Sequence, residues 1–217
     1  MILTRQRSST PFGFMKKIRS ICVYCGSSPG RDPLYVEAAH TLGKAMAEAG
    51  LRLVYGGGGK GIMGAVASSI SAAGGTVIGV IPRFLITKEA TEAALARLDE
   101  LVVTEDMHTR KHRMFEESDA FVALPGGIGT LEEIVEMMTW AQLGRHDKPI
   151  VLANIGGFWS PMMKLLDHMK GEGFLHTAQK IAPLVIDDAA EIVPTLLRMQ
   201  GEPHVTDEGN ASVIERM

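Results

Sequence analysis

The sequence predicts an α/β domain built on a mostly parallel sheet with helices on both faces. Three observations predict it. Short β-branched apolar runs alternate with segments of helical period from residue 18 to residue 200. Glycine-rich stretches follow directly on three of the apolar runs. The 217 residues, 46% apolar and 22% charged, suit one domain with a sizeable core, and neither a repeat nor a composition shift divides them. Strands separated by helices need crossover connections, which are right-handed and leave the strands parallel.

In chain order, residues 1–17 are a basic extension that lacks the apolar centre of a secretory signal, with Met15 as an alternative start. Strands are expected over 18–24, 51–55, 76–81, 101–104, 120–124, 150–153 and 184–186, within a single domain of residues 18–200. Helices are expected over 32–49, 62–73, 107–118, 131–143, 159–170 and 189–199. Residues 201–217 are polar and read as a loosely ordered tail. A formal net charge of −3 leaves no nucleic-acid footprint. No apolar run approaches the ~20 residues that span a bilayer, so neither nucleic acid nor membrane is an expected partner.

Cys22 and Cys25 form a C-x-x-C pair. Zinc takes about four ligands and no second pair exists, while a redox pair opens a helix and this one lies in a strand entering a turn. Strand alternation sends the two side chains to opposite faces. They read as small buried residues of a reducing cytoplasm. His108 and His112 share a helical face, but no H-E-x-x-H or partner carboxylate accompanies them, and no metal is expected.

In a parallel sheet, ligands bind beyond the carboxyl ends of the strands, where the strand order reverses. Three strand-end loops therefore matter. The first, CGSSPGRDP (25–33), offers Gly26 and Ser27 for an anion-friendly turn, with Asp32 as N-cap of the next helix; an ordinary turn would read alike. The second carries Gly59-x-Gly61-x-x-Gly64, preceded by Gly58. No acidic residue lies between Gly64 and Glu89, so the dinucleotide fingerprint is incomplete, and Lys60-Gly61 breaks the Walker A pattern. A nucleotide-loop or close-packing role remains for Gly58, Gly59 and Gly61.

The third loop, Pro125-Gly126-Gly127-Ile128-Gly129-Thr130, runs from a strand into a helix. Its amides can converge where the helix dipole is positive, a seat for a phosphate that needs neither lysine nor metal. Thr130 and Glu133 also fit a capping box, with Thr130 as N-cap. Capping does not account for three glycines in four positions. Upstream, Arg110, Lys111 and Met114 share one turn of a charged helix, which would ordinarily be a solvated face.

The pairing of Arg110-Lys111 with Pro125–Glu133, an R-K followed by P-G-G-x-G-T-x-x-E, resembles the LONELY GUY family of cytokinin riboside 5′-monophosphate phosphoribohydrolases, which has also carried a lysine decarboxylase label. The similarity takes in CVYCGSS and GGGKGIMG and runs over residues 18–175. It implies a Rossmann-like, doubly wound, cytoplasmic homodimer. That enzyme would hydrolyse the N-glycosidic bond of an N6-modified AMP, without a cofactor. It also implies Arg110 and Glu133 as the catalytic pair. Substrate contacts would come from Glu89, Met107, Lys111, Gly126, Gly127, Ile128, Gly129, Thr130, Glu132 and Thr139. TEAALARLDE, beyond Glu89, departs from the family pattern at the base pocket. Arg110 stays protonated and would act electrostatically, while Glu133 would face the ribose or orient water. The rival readings are a non-catalytic nucleotide or pterin-cofactor carrier, and an NADP oxidoreductase using Gly59–Gly64 and Arg83.

Overall fold

Ser20–Tyr24 forms β1, and all five residues of SICVY are buried. A strand covered on both faces must be apolar on both, which removes the polar alternation of a half-exposed strand. The computed structural model describes residues 17–175 and 183–200, and Glu89 by its backbone alone. The expectations for residues 1–16 and 201–217 lie outside the described residues. The remaining strands are β2 (Arg52–Tyr55), β3 (Val77–Pro82), β4 (Glu100–Thr104), β5 (Ala120–Ala123), β6 (Ile150–Ala153) and β7 (Leu184–Ile186). They form one sheet in the order β4-β3-β2-β1-β5-β6-β7, and every neighbouring pair is parallel. The order reverses between β1 and β5, the switch point of a doubly wound fold.

Among the described residues the α-helices are α1 (Leu34–Glu48), α2 (Gly61–Ala72), α3 (Arg83–Glu89), α4 (Glu92–Leu95), α5 (Met107–Glu116), α6 (Ile128–Gln142), α7 (Ser160–Gly171) and α8 (Ile192–Met199). Strand alternation divides the core into two layers. Ile21 and Val23 of β1 join Val122 of β5 and the apolar faces of α1, α2 and α8. Cys22 and Tyr24 join Phe121, the α5 and α6 residues Met114, Ile134 and Met137, and Trp159. At the α1–α2 crossing, a side chain on Gly43 would lie 2.8 Å from the Val66 carbonyl oxygen. That approach is why a glycine sits in the middle of a helix.

Three local expectations change. The first-turn N-cap of α1 is Pro33, and the Asp32 carboxylate instead accepts the Leu34 N–H at 3.0 Å, an Asx turn leading into the helix. The short helices α3 and α4 fill a segment without a clear helical period; Thr91 Oγ1 caps the second by accepting from Ala94 N–H at 3.2 Å. Most consequential, α6 begins at Ile128, not Leu131. Gly127 is its N-cap, and Thr130 lies inside the first turn, so the expected capping box does not form.

Candidate active site

The loops after β1 and β5 meet at the switch point. Gly26 N–H donates to the Pro125 carbonyl at 3.1 Å. A side-chain carbon on Gly26 would stand 3.3 Å from Gly126 Cα, and one on Gly126 would stand 2.2 Å from Thr130 Oγ1 and 2.9 Å from Gly26 N. Both glycines exist to let the two backbones touch. Gly127 and Gly129 differ: a side-chain carbon on either would meet nothing within 4 Å. Their missing side chains leave open space over the first turn of α6. Before its first internal bond, Leu131 N–H to the Gly127 carbonyl, the helix has no side-chain cap and no acidic residue in its opening turn. Its amide donors and the positive end of its dipole face a cleft of about 330 Å³.

Arg110 and Glu133 line the same cleft. Asp106 sets the arginine: its carboxylate accepts the Thr109 N–H at 2.7 Å and caps α5, which places Arg110 on the inward side of the helix's first turns. That hydrogen bond also holds the Asp106 carboxyl below its usual value of 3.8. The guanidinium is almost covered, at 8% side-chain exposure, and its Nη1 lies 3.5 Å from Glu133 Oε1, whose side chain is 10% exposed. Arg110 Nε donates to the Val80 carbonyl at 3.2 Å, and Met107 Sδ stands 3.8 Å from Nη1. A buried arginine needs such partners, since desolvation would otherwise exclude it. The charged run of α5 therefore keeps a solvated side, with Arg110 turned inward and Lys111 largely covered against α6, at 14% side-chain exposure. Beneath it, Tyr24, Phe121 and Phe115 lie nearly parallel at centroid separations of 6.1 and 5.9 Å, bracing α5 against the sheet.

The other expected residues separate by position. Gly26, Ser27, Gly127, Ile128, Gly129 and Thr130 line the cleft with the charged pair. Gly126 supports it from behind. Lys111 bonds Glu132 and lies 3.1 Å from Glu136, tying α5 to α6 beside the cleft. Thr139 is exposed farther along α6, where its hydroxyl donates to the Val135 carbonyl at 2.8 Å. The side chain of Glu89 lies outside the described residues. In the second loop, Gly58, Gly59 and Gly61 do not line the cleft. A side-chain carbon on Gly61 would meet the Ser27 backbone at 2.5 Å, and one on Gly64 would meet the Gly59 carbonyl oxygen at 2.4 Å. This loop packs under the first loop. Gly56 and Met63, which line the cleft, were not singled out in the sequence; position in a glycine run alone does not separate Gly56 from its neighbours.

The Cys25 thiol also lines the cleft. Burial pushes the Cys25 thiol well above its ordinary value, with the Glu133 carboxylate adding to the effect, and burial pushes Cys22 up to about 12. A thiol kept protonated is a poor nucleophile. Both cysteines are free, buried, and divided between the two core layers. His108 and His112 lie on the exposed side of α5, where His112 Nε2 stands 3.3 Å from Glu116. Among the described residues, no group of three or more His, Cys, Asp or Glu is placed to hold a metal ion. No described helix is long and apolar enough to cross a membrane.

An uncapped helix start over an open glycine seat, with a buried arginine–carboxylate pair one turn deeper, is the arrangement of a nucleotide-binding α/β enzyme. The family model described as "Possible lysine decarboxylase" matches residues 63–196. The cytokinin riboside 5′-monophosphate phosphoribohydrolase LOG of Oryza sativa subsp. japonica is 48% identical over 159 residues, 73% of this chain and 64% of that protein. The phosphoribohydrolase LOG5 of Arabidopsis thaliana is 42% identical over 180 residues, 83% of this chain and 78% of that protein. The chain belongs to this LONELY GUY family, and it is an enzyme of the phosphoribohydrolase class. The decarboxylase description has no counterpart in the cleft, whose described wall contains no lysine to form a Schiff base. Among solved structures, the molybdenum cofactor carrier protein of Chlamydomonas reinhardtii aligns with a TM-score of 0.64 at 23% identity, over 86% of this chain and all of that one. That likeness is one of fold alone.

Proposed function

We propose that the chain hydrolyses the N-glycosidic bond of an adenine nucleoside 5′-monophosphate with an N6 substituent, giving free base and ribose 5-phosphate. One observation carries this reading: the open amide seat at Gly127 and Gly129 lies one helical turn from the buried Arg110–Glu133 pair. The 5′-phosphate sits on the first amides of α6, a dianion at the positive end of a helix. The ribose then lies toward Glu133. As the C1′–N9 bond breaks, its electron pair leaves with the base and positive charge builds on the ribose ring. The Glu133 carboxylate stabilises that charge and holds the ribose hydroxyls or the attacking water. The water oxygen bonds to C1′, and the proton it releases is taken up by the departing base. Arg110, permanently charged, faces the Glu133 carboxylate at 3.5 Å and steadies the electron-rich leaving group. No step needs a cofactor.

The outer face of α6 supports a homodimer. Ile128, Val135 and, at the C-cap, Leu143 are exposed at 81%, 42% and 71%, apolar surface that a second copy would cover. Thr139 and Glu132 belong to this outward side, so on this reading their substrate contacts come at the subunit boundary. Two buried thiols suit a reducing cytoplasm. The test is product analysis by chromatography, with AMP and isopentenyl-AMP as substrates and no added cofactor. Release of free base with ribose 5-phosphate is expected. Tight binding without release would leave a carrier, and light scattering that found only monomer would remove the dimer.

A further inference from the structure

We infer that Gly56 is a positioning residue: the space left by its missing side chain is where the Arg110 guanidinium lies, and that space sets the Arg110–Glu133 pair. The inference rests on the catalytic reading of that pair. Gly56 follows β2 directly, and it is not among the glycines with positive φ, so its backbone conformation is open to any residue. Its neighbours are glycines for other reasons. Gly57 and Gly61 have φ of 75° and 58°, and Gly59 would press a side chain on Ala94 and Thr91. A carbon built on Gly56 would lie 2.2 Å from Arg110 Nη2, while Met63 Sδ, its next neighbour outside Arg110, stands at an ordinary 3.4 Å. The obstruction is thus one side chain.

That side chain has little freedom to give way. The guanidinium is a rigid plane, and its position is fixed by Nε on the Val80 carbonyl at 3.2 Å and by Nη1 at 3.5 Å from Glu133. Moving Nη2 from 2.2 Å to the 3.4 Å of ordinary contact is a retreat of about 1.2 Å. The plane carries Nη1 with it, so the contact with Glu133 opens or the bond to Val80 breaks. Four segments converge on this one group: the end of β2, the backbone of β3, α5 that bears the arginine, and α6 that bears the glutamate. Gly56 is the member of the set that contributes by absence.

The experiment is a double-mutant cycle on turnover of AMP or isopentenyl-AMP, with Gly56→Ala, Arg110→Ala and the double variant. Arg110→Ala is expected to lose about 10²–10³-fold in kcat. Gly56→Ala is expected to lose at least about tenfold in kcat with a much smaller change in KM. Added to Arg110→Ala, it should cost less than about twofold, because the group it displaces is gone. Losses that multiply in the double variant would overturn the inference, as would a Gly56→Ala enzyme of normal kcat. Should Gly56→Ala fold poorly, the double variant must recover the melting temperature of Arg110→Ala, since only Arg110 stands in the way; a double variant equally unstable refutes it. If the wild-type chain releases no base, the functional reading fails by itself. A crystal structure of Gly56→Ala then decides the positioning: a widened Arg110–Glu133 separation supports it, and an unchanged 3.5 Å contact overturns it.

Discussion

Replacing Glu133 by glutamine removes one charge from the cleft and almost nothing else. The side chain keeps its length, so packing along α6 is preserved. With Arg110 Nη1 3.5 Å from the carboxylate, the lost attraction is about 5 kcal/mol at an effective dielectric constant of ~20. Folding does not lose that amount, because a buried carboxylate is costly to desolvate and the amide is much less so. The net change in stability should be about 3 kcal/mol, because the buried Arg110 guanidinium loses its paired charge, a fall in Tm of roughly 6–12 °C for a chain of this size. Catalysis has no such offset. The positive charge that grows on the ribose ring loses a preorganised carboxylate, which costs about 10²–10³ in kcat, or ~2.7–4 kcal/mol. The assay is initial-rate measurement of free base from isopentenyl-AMP, paired with thermal unfolding of the same preparation. A Glu133→Gln protein with more than a tenth of wild-type kcat would refute the assignment. Equal losses of activity and folded fraction would show that Glu133 acts through stability alone.

Two glycines of the third loop should behave oppositely. Gly129→Ala points a methyl into open space from a helical position, so Tm should hold or rise, by about 0.5–1 kcal/mol of stability, while KM for the 5′-monophosphate rises about tenfold or more. Gly126→Ala should lower Tm, because its methyl would stand 2.2 Å from Thr130 Oγ1; unchanged unfolding would contradict the packing described. Cys22 and Cys25 should resist an aromatic disulfide reagent at pH 8 in the native protein and both react after unfolding in urea, and prompt labelling of the native protein would argue against their burial. Burial depresses His146 below 6.5, and its Nδ1 accepts the Lys148 N–H at 3.1 Å while the other ring nitrogen meets the Met137 carbonyl. Its contribution to stability is therefore complete above pH 6.5 and is lost as pH falls through the depressed value. Thermal unfolding between pH 7 and pH 5 should show that loss, and His146→Gln should flatten it.

The strands and the long helices were legible in the sequence because their signals are local. A run such as SICVY declares a strand buried on both faces, and the apolar spacing of Ile134, Met137, Met138 and Ala141 declares the inward side of α6. The R-K and P-G-G-x-G-T-x-x-E motifs likewise marked Arg110, Glu133 and the glycine seat. Local rules failed where two explanations shared one pattern. Thr130 and Glu133 satisfy a capping box in one dimension, but the open loop lets α6 start at Ile128, which frees the first amides and turns Glu133 toward Arg110.

Tertiary structure alone decided which loops meet and which side chains are covered. Strand order is set by contacts between residues far apart in the chain, such as Cys22 beside Phe121, and no periodicity encodes them. That order brings the first and third loops together and sets most of the second beneath them, with Gly56 left at the cleft wall. It also turns Arg110, one cation in a charged run, into a buried group. The sequence supplies the charged residues; long-range packing removes the water around Arg110 and Glu133, which strengthens the attraction between a single carboxylate and a single guanidinium.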